Sequence, residues 1–327
     1  MKIGLLGMGT VGGGVRELAE RLPDVKIARI LERVPTRPEM TNHIEDILRD
    51  DSISLIVETM GGLHPAYEFA VQSLESGRHF VTANKLLVSA YGRELQALAR
   101  RRGVGFLFGA ACGGAIPYLS NLAAAREGDH ILRVGGILNG TTNYMLDAMQ
   151  TRGLDYAAAL REAQALGYAE ANPSTDVDGI DTWHKVILSA NIAFGVSLDK
   201  ETVPVAGIRN IKAEDVENFK AHGLVCKLIS TGKRENGVIS AYVQPTLVKD
   251  GEPEAAVPMN YNLITFIGET SQRMSFFGQG AGRYPTAYNV VQDLVDVLAG
   301  KGFYAPYGGR AAAVNNEELT WYVRGGW

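Results

Sequence analysis

Cysteine is almost missing from this chain, with two residues in 327, Cys112 and Cys226. Two thiols build no disulfide framework, so a reducing compartment, the cytoplasm, is expected. Long hydrophobic runs are missing as well. No apolar stretch reaches the roughly 20 residues that a membrane helix needs, and no charged leader precedes the first strand pattern. Charge is nearly balanced at a net −4, and the longest basic run is Arg100-Arg101-Arg102. That argues against a nucleic-acid surface. The six histidines are scattered, none in a ligand-spaced pair, which argues against a zinc site. Cys112 lies among small apolar neighbours and reads as a buried, inert thiol. What remains is a globular composition, 46% hydrophobic and 21% charged, of a length that suggests about two domains.

The first half alternates strand and helix. Lys2–Leu6 is a short apolar strand, followed by Gly7-Met-Gly9-Thr10-Val11-Gly12 and a helical pattern to Leu22. This puts G-x-G-x-x-G between a first strand and a helix. Gly7 permits the tight turn, Gly9 lets the backbone approach a pyrophosphate, and Gly12 allows close helix–strand packing. Gly7, Gly9, Thr10, Val11 and Gly12 are therefore candidate dinucleotide contacts. A second strand over 25–31 ends at Glu32, twenty residues past Gly12. A carboxylate there accepts from the ribose hydroxyls and repels a 2′-phosphate, which favours NAD. Arg33 and Arg37 follow at once and would welcome that phosphate, so NADP stays open. A capping box is expected at Asn42–Glu45. Strands are expected over 53–57, 79–82 and 104–108, with helices over 65–76 and 85–102. Such units make a parallel doubly wound sheet, whose ligands lie at the strands' C-terminal ends. Thr59 to Gly62, Asn84, Lys85 and Gly109 to Pro117 occupy those ends.

The second half changes character. A strand over 131–138 runs into Asn139-Gly-Thr141-Thr-Asn-Tyr144, whose amides and hydroxyls either cap the next helix or hold a substrate's polar groups. Asp155 caps a helix that ends at Leu166. The following stretch, 167–185, carries Tyr168, Glu170, Asp176, Asp178, Asp181 and Lys185. Pro173, Ser174 and Gly179 are expected to break regular structure before about 179, and a buried helix follows. On it Asp181 and Lys185 stand four apart on one face. Desolvation makes such a lysine a proton donor, and the carboxylate fixes its position. A calcium loop is not expected, because the loop glycine is misplaced and the twelfth position from Asp176 is Ile187 rather than glutamate. After Gly195 the pattern becomes antiparallel, with a hairpin over 224–231 and 238–248 around Glu235-Asn-Gly237 and one further strand over 264–277. A second glycine-rich turn containing Gly280 precedes a helix over 287–299 that is expected to return to the first domain. The expected fold is α/β, a Rossmann-type doubly wound parallel sheet plus an α+β catalytic and dimerisation domain. Residues 1–118, completed by about 283–327, form the first domain and 119–282 the second.

Seven stretches together resemble homoserine dehydrogenases. They are Gly7-x-Gly9-x-x-Gly12, Thr82-Ala-Asn-Lys85, Gly113-Gly-Ala-Ile-Pro117, Gly136-Ile-Leu-Asn-Gly-Thr-Thr-Asn-Tyr144, Glu162 to Glu170, Asp176 to Lys185 and Gly280 to Ala287. The blocks between Gly136 and Lys185 are specific to that family. The resemblance implies reversible NAD(P)-dependent reduction of L-aspartate 4-semialdehyde to L-homoserine, a step towards threonine and methionine. It puts the acid–base lysines at Lys85 and Lys185, the substrate carboxylates at Glu170, Asp176 and Asp181, and Thr141 and Tyr168 beside the substrate. Glu32, Arg33, Thr59, Asn84 and Gly280 would join the glycines around the cofactor. It also implies a homodimer built through the hairpin region, and a monovalent cation held mainly by backbone carbonyls at Gly109, Cys112 and Gly114. Three departures stand out. Gly109-Ala110 replaces the usual Glu-Ala, Asn172 replaces a commoner aspartate, and a chain ending at 327 leaves no room for the C-terminal regulatory domain of many relatives. Two alternatives stay open, a dehydrogenase of another amino-acid aldehyde and a catalytically silent nucleotide binder.

Overall fold

A computed structural model describes residues 1–304 and 307–324. Along the chain the elements begin β1 (Lys2–Leu6), α1 (Thr10–Ala19), β2 (Lys26–Leu31), β3 (Met40–Thr41), α2 (Ile44–Leu48) and β4 (Ile53–Glu58). They continue with α3 (Ala66–Glu75), β5 (His79–Thr82), α4 (Lys85–Arg102), β6 (Phe106–Leu107), α5 (Tyr118–Gly128) and β7 (Ile131–Ile137). Next come α6 (Gly140–Arg152), α7 (Tyr156–Ala165), α8 (Ser174–Val177), α9 (Ile180–Phe194), β8 (Ser197–Leu198) and α10 (Ala213–Ala221). The last are β9 (Leu224–Glu235), β10 (Val238–Lys249), β11 (Tyr261–Gly268), β12 (Gln272–Gln279), α11 (Arg283–Leu298) and β13 (Arg310–Ala311).

Packing divides the described residues into two units. Met1–Ala124 joins Gln279–Gly308, and Ala125–Gly278 joins the residues from Gly309 onward. These bounds differ from those expected at 118 and 282, and from a returning segment running to 327. From Gly309 the chain instead pairs β13 with β8, and Asn315 accepts from the Ala241 N–H of β10 at 2.7 Å.

In the first unit a parallel six-stranded sheet has the order β3-β2-β1-β4-β5-β6, the doubly wound arrangement the alternation implied. Ile3, Leu5, Leu6, Leu55, Ile56, Phe80 and Phe106 are fully buried, as expected of strands covered on both faces by helices. Helix α11 lies on α1, and glycine lets it approach. A Cβ on Gly14 would meet the Ala287 Cβ at 2.9 Å and the Arg283 carbonyl at 3.0 Å.

In the second unit a five-stranded antiparallel sheet has the order β10-β9-β7-β11-β12. Helix α9 is buried along nearly its whole length, and its apolar run meets β7, β9 and β10. The β9–β10 hairpin closes at Asn236 and Gly237, both at positive φ, the Asn-Gly pair of a tight two-residue turn.

Several local expectations need correction. The strand expected over 264–277 is two strands, because the polar Glu269-Thr-Ser-Gln272 interrupts it. Asp129 accepts from the Thr270 and Ser271 N–H groups at 3.1 and 2.8 Å and ties that turn down. The capping box at 42–45 is not formed. His43 is the N-cap without a side-chain bond, while the Thr41 hydroxyl donates to Asp46. The loop before Gly179 contains the one-turn α8, since Pro173 sits at a helix start, where its missing N–H costs nothing. Helix α10 went unforeseen inside what read as β structure.

Candidate active site

The first unit supplies a nucleotide cradle. Gly7 sits at φ +91°, in the left-handed region that glycine enters without strain. Its N–H donates to the Leu31 carbonyl at 3.0 Å, which seats the loop on β2. A Cβ on Gly12 would lie 2.1 Å from the Gly7 carbonyl oxygen, whereas one on Gly9 would meet nothing within 4 Å. Gly12 is thus required by packing, and Gly9 leaves open space where a pyrophosphate would approach. Thr10 and Val11 open α1, whose first N–H groups and dipole favour an anion. The Thr59 hydroxyl donates to the Leu6 and Gly7 carbonyls at 3.1 and 3.0 Å. These residues fit a dinucleotide.

Glu32 bears on the loop directly, since its carboxylate accepts the Met8 N–H. Arg33 and Arg37 are both exposed. Asn84 caps α4 through the Leu87 N–H at 3.1 Å and donates to the Gly62 carbonyl at 2.6 Å. Lys85 is the first residue of α4 and is partly exposed.

Two buried carboxylates of this unit were missed by sequence reasoning. Glu58 ends β4 and accepts from the Thr82 hydroxyl at 2.5 Å and from the Met60 and Gly61 N–H groups at 2.7 and 3.0 Å. Burial pushes its pKa up against those bonds. Asp293 of α11 accepts from the Gly109 N–H at 2.8 Å and the Tyr304 hydroxyl at 2.6 Å, and burial pushes it up to about 7. One helical turn earlier Asn289 donates to the Gly114 and Ile116 carbonyls at 2.8 and 3.2 Å. The two side chains grip the glycine-rich turn from α11. They also account for Gly109, where a Cβ would lie 2.7–2.9 Å from Tyr304, Asn289 and Asp293 oxygens. Of the carbonyls expected to hold a cation, that of Gly114 accepts from Asn289 and that of Gly109 from the Cys112 N–H at 3.4 Å. Gly280 lies against the same turn, 2.5 Å from a Cβ built on Gly114.

The second unit supplies a charged cluster. Lys185 and Asp181 are 7% and 4% exposed, which removes them from the solvated pairs that do little. The Lys185 Nζ donates to Asp181 Oδ2 and to the Leu138 carbonyl, each at 2.7 Å. Asn139, the next residue, donates from one Nδ2 to Asp181 Oδ2 at 2.9 Å and to Asp176 Oδ1 at 2.7 Å. Its Oδ1 accepts the Thr142 N–H at 2.9 Å and caps α6. The Thr141 hydroxyl donates to the Tyr168 carbonyl at 2.5 Å, and the Tyr168 ring meets Tyr144 edge-on at 5.1 Å. Asp176, Asp181 and Lys185 are therefore brought together, while Thr141, two residues past Asn139, is tied to Tyr168. Glu170 is exposed beyond them, and its carbonyl accepts from Gln164. Asp178 pairs with Arg209 instead. The sequence leaves Asn139 in a stretch that either caps a helix or holds a substrate, and nothing in its spacing points to a bridge between aspartates.

A third buried cluster lies behind α6. Lys227 of β9, 1% exposed, donates to Asn143 Oδ1 at 3.0 Å and the Val257 carbonyl at 2.7 Å, and burial lowers it to about 8. Among the described residues no group of His, Cys, Asp and Glu has a metal-binding arrangement. No helix among them is long and apolar enough to cross a membrane.

Comparison with known proteins supplies a family. Residues 117–295 match the family model described as homoserine dehydrogenase, and residues 7–109 match its NAD binding domain. The homoserine dehydrogenase of Bacillus subtilis is 37% identical over 315 residues, covering 91% of this chain and 73% of that protein. That of Synechocystis is 38% identical with the same coverage. The crystal structure of a homoserine dehydrogenase from Thiobacillus denitrificans superimposes with a TM-score of 0.86 at 37% identity, covering 91% of this chain and 73% of that one.

Proposed function

The chain belongs to the homoserine dehydrogenase family, and from that premise we propose that Lys85 and Lys185 carry the acid–base chemistry while Asp176, Asp181 and Glu170 hold the substrate's ammonium. The reaction is the NAD(P)-dependent interconversion of L-homoserine and L-aspartate 4-semialdehyde. When bound, the nicotinamide supplies the hydride acceptor or donor. What supports the residue roles is the hydrogen-bonded Lys185–Asp181–Asn139–Asp176 cluster, buried except at Asp176. Reduction of the aldehyde turns its oxygen into an alkoxide, which an ammonium stabilises and protonates. In the reverse direction the same nitrogen, deprotonated, withdraws the hydroxyl proton. Asp181 keeps the Lys185 nitrogen aimed while burial excludes competing water. Thr141 and Tyr168 line the substrate, and the α-carboxylate is left to a lysine.

Gly7, Gly9, Thr10, Val11 and Gly12 take the dinucleotide's pyrophosphate, with Thr59, Asn84 and Gly280 nearby. Glu32 disfavours a 2′-phosphate on the ribose, so NAD is the preferred cofactor and Arg33 is not a phosphate ligand. The turn at Gly109, Cys112 and Gly114 takes a monovalent cation through those carbonyls that α11 leaves available. The hairpin β9–β10 builds a homodimer, which light scattering checks as a particle of twice the chain mass. Two buried thiols outside any disulfide suit the cytoplasm, testable by cell fractionation.

The deciding experiment follows reduced-nicotinamide absorbance with purified protein and L-homoserine at alkaline pH, NAD and NADP side by side. Turnover with both and a higher kcat/KM for NAD is the expected result. Preference for NADP would reassign cofactor choice to Arg33 and Arg37. Binding without turnover of any amino alcohol would overturn the reading in favour of a silent binder.

A further inference from the structure

We propose that Asn139 is the positioning residue of the substrate pocket, a neutral cross-link that sets the spacing of Asp176 and Asp181 and keeps Lys185 in register between them and the β7–α6 turn. The inference rests on the substrate roles proposed above and adds a residue that those roles do not include.

The geometry divides the side chain into two halves with different tasks. The carbonyl half faces its own helix, where Oδ1 accepts the Thr142 N–H at 2.9 Å and lies 3.0 Å from the Thr142 hydroxyl. This is N-capping, which Asn, Asp and Ser perform about equally well. The amide half faces the carboxylates. An NH2 group has two hydrogens in one plane, and here one points to Asp176 Oδ1 and the other to Asp181 Oδ2. The same Asp181 oxygen accepts from Lys185, which also donates to the carbonyl of Leu138 next door. Residues 138 and 139 therefore hold the lysine and both aspartates from one short turn.

Burial explains why an amide stands here. Asn139 is 5% exposed and Asp181 4%, so the Asp181 carboxylate, brought beside a half-buried Asp176, needs donors that water does not supply. A second cation would neutralise the pair that is to receive the substrate's ammonium. A carboxylate or hydroxyl at 139 would cap α6 equally well and remove the bridge between the aspartates. An amide donates to both and adds no charge. The charged groups held against Asn139 are Asp176 from α8 and Asp181 from α9, with Lys185 of α9 joined through Asp181.

Two substitutions separate the halves. Asn139→Ser keeps a capping oxygen and removes the bridge. Asn139→Asp keeps the cap and puts a third carboxylate beside two. We expect KM for L-homoserine to rise about tenfold to a hundredfold in Asn139→Ser, the scale of lost hydrogen bonds to charged groups. KM for the dinucleotide should stay within about twofold, and the thermal midpoint should stay near that of the parent. In Asn139→Asp the loss should be largest at neutral and alkaline pH and shrink towards acid pH, because the introduced carboxyl regains a donor once it is protonated. A purely structural cap would leave the ratio of variant to parent kcat/KM flat with pH, and that result overturns the proposal. An unchanged KM for homoserine in both variants overturns it too. Parent protein inactive on L-homoserine would instead remove the substrate assignment itself, which the first assay of the series detects.

Discussion

Both units bury polar groups, but they hold them differently. In the first, Glu58 and Asp293 accept from backbone N–H groups and hydroxyls, and burial raises both. Each pins a turn, Met60–Gly61 or Gly109, that a cofactor would approach. In the second, buried amines stand among the carboxylates. Lys185 is matched to Asp181, while Lys227 is held by an amide and a carbonyl and is lowered. The lesson is one of division. Where the chain must present backbone to a ligand, side chains hold the backbone still. Where it must present charge, a paired charge is buried beside a neutral bridge.

The largest effect that would sharpen this contrast lies in the second unit. Asp181→Ala leaves the Lys185 ammonium buried without its carboxylate, so stability should fall by about 3–5 kcal/mol and kcat/KM by at least about a hundredfold. Combining it with Lys185→Met should restore much of the stability, read by urea unfolding, and none of the activity. The contrast breaks if the single variant is as stable as the parent.

Next in size is the first unit's cradle. Gly12→Ala forces a Cβ to within 2.1 Å of the Gly7 carbonyl, so the loop must shift. Dinucleotide affinity by fluorescence titration should weaken by at least about tenfold, while KM for homoserine at saturating cofactor moves little. Equal damage to both constants would blur the division.

A further contrast is a pair of opposite slopes with pH. Asp293 titrates at about 7 in the folded unit against an ordinary 3.8. Between those values the unfolded chain has released a proton that the folded unit keeps, so stability from this group falls as pH rises, then levels off. Lys227 titrates at about 8 against an ordinary 10.5. There the unfolded chain keeps a proton that the folded unit has lost, so stability rises over that interval. Denaturant unfolding of Asp293→Asn and Lys227→Met beside the parent should remove the first and the second slope respectively. Two slopes of one sign would contradict the burial argument.

Much of the fold was legible because its signals are local. Gly7, Gly9 and Gly12 mark a turn between an apolar strand and a helix, and the continuous apolar strands 3–6 and 53–57 announce a sheet buried on both faces. Asp181 and Lys185 were legible by their spacing of four on an apolar helix. What stayed hidden depends on distant partners. Asp293 reaches Gly109 across 184 positions and Asn139 reaches Asp176 across 37, and no periodicity carries that information. The strand expected over 264–277 failed for a related reason, since the turn that interrupts it is held from far upstream by Asp129 and the His130 carbonyl.

Lys85 and Lys185 are proposed to share the proton chemistry of homoserine oxidation. The direct test is steady-state oxidation of L-homoserine by Lys85→Ala and Lys185→Ala, with retained cofactor binding shown separately for each. Both variants should lose at least about a hundredfold in kcat, the scale of a missing acid–base group. Rates near those of the parent in both would contradict the account.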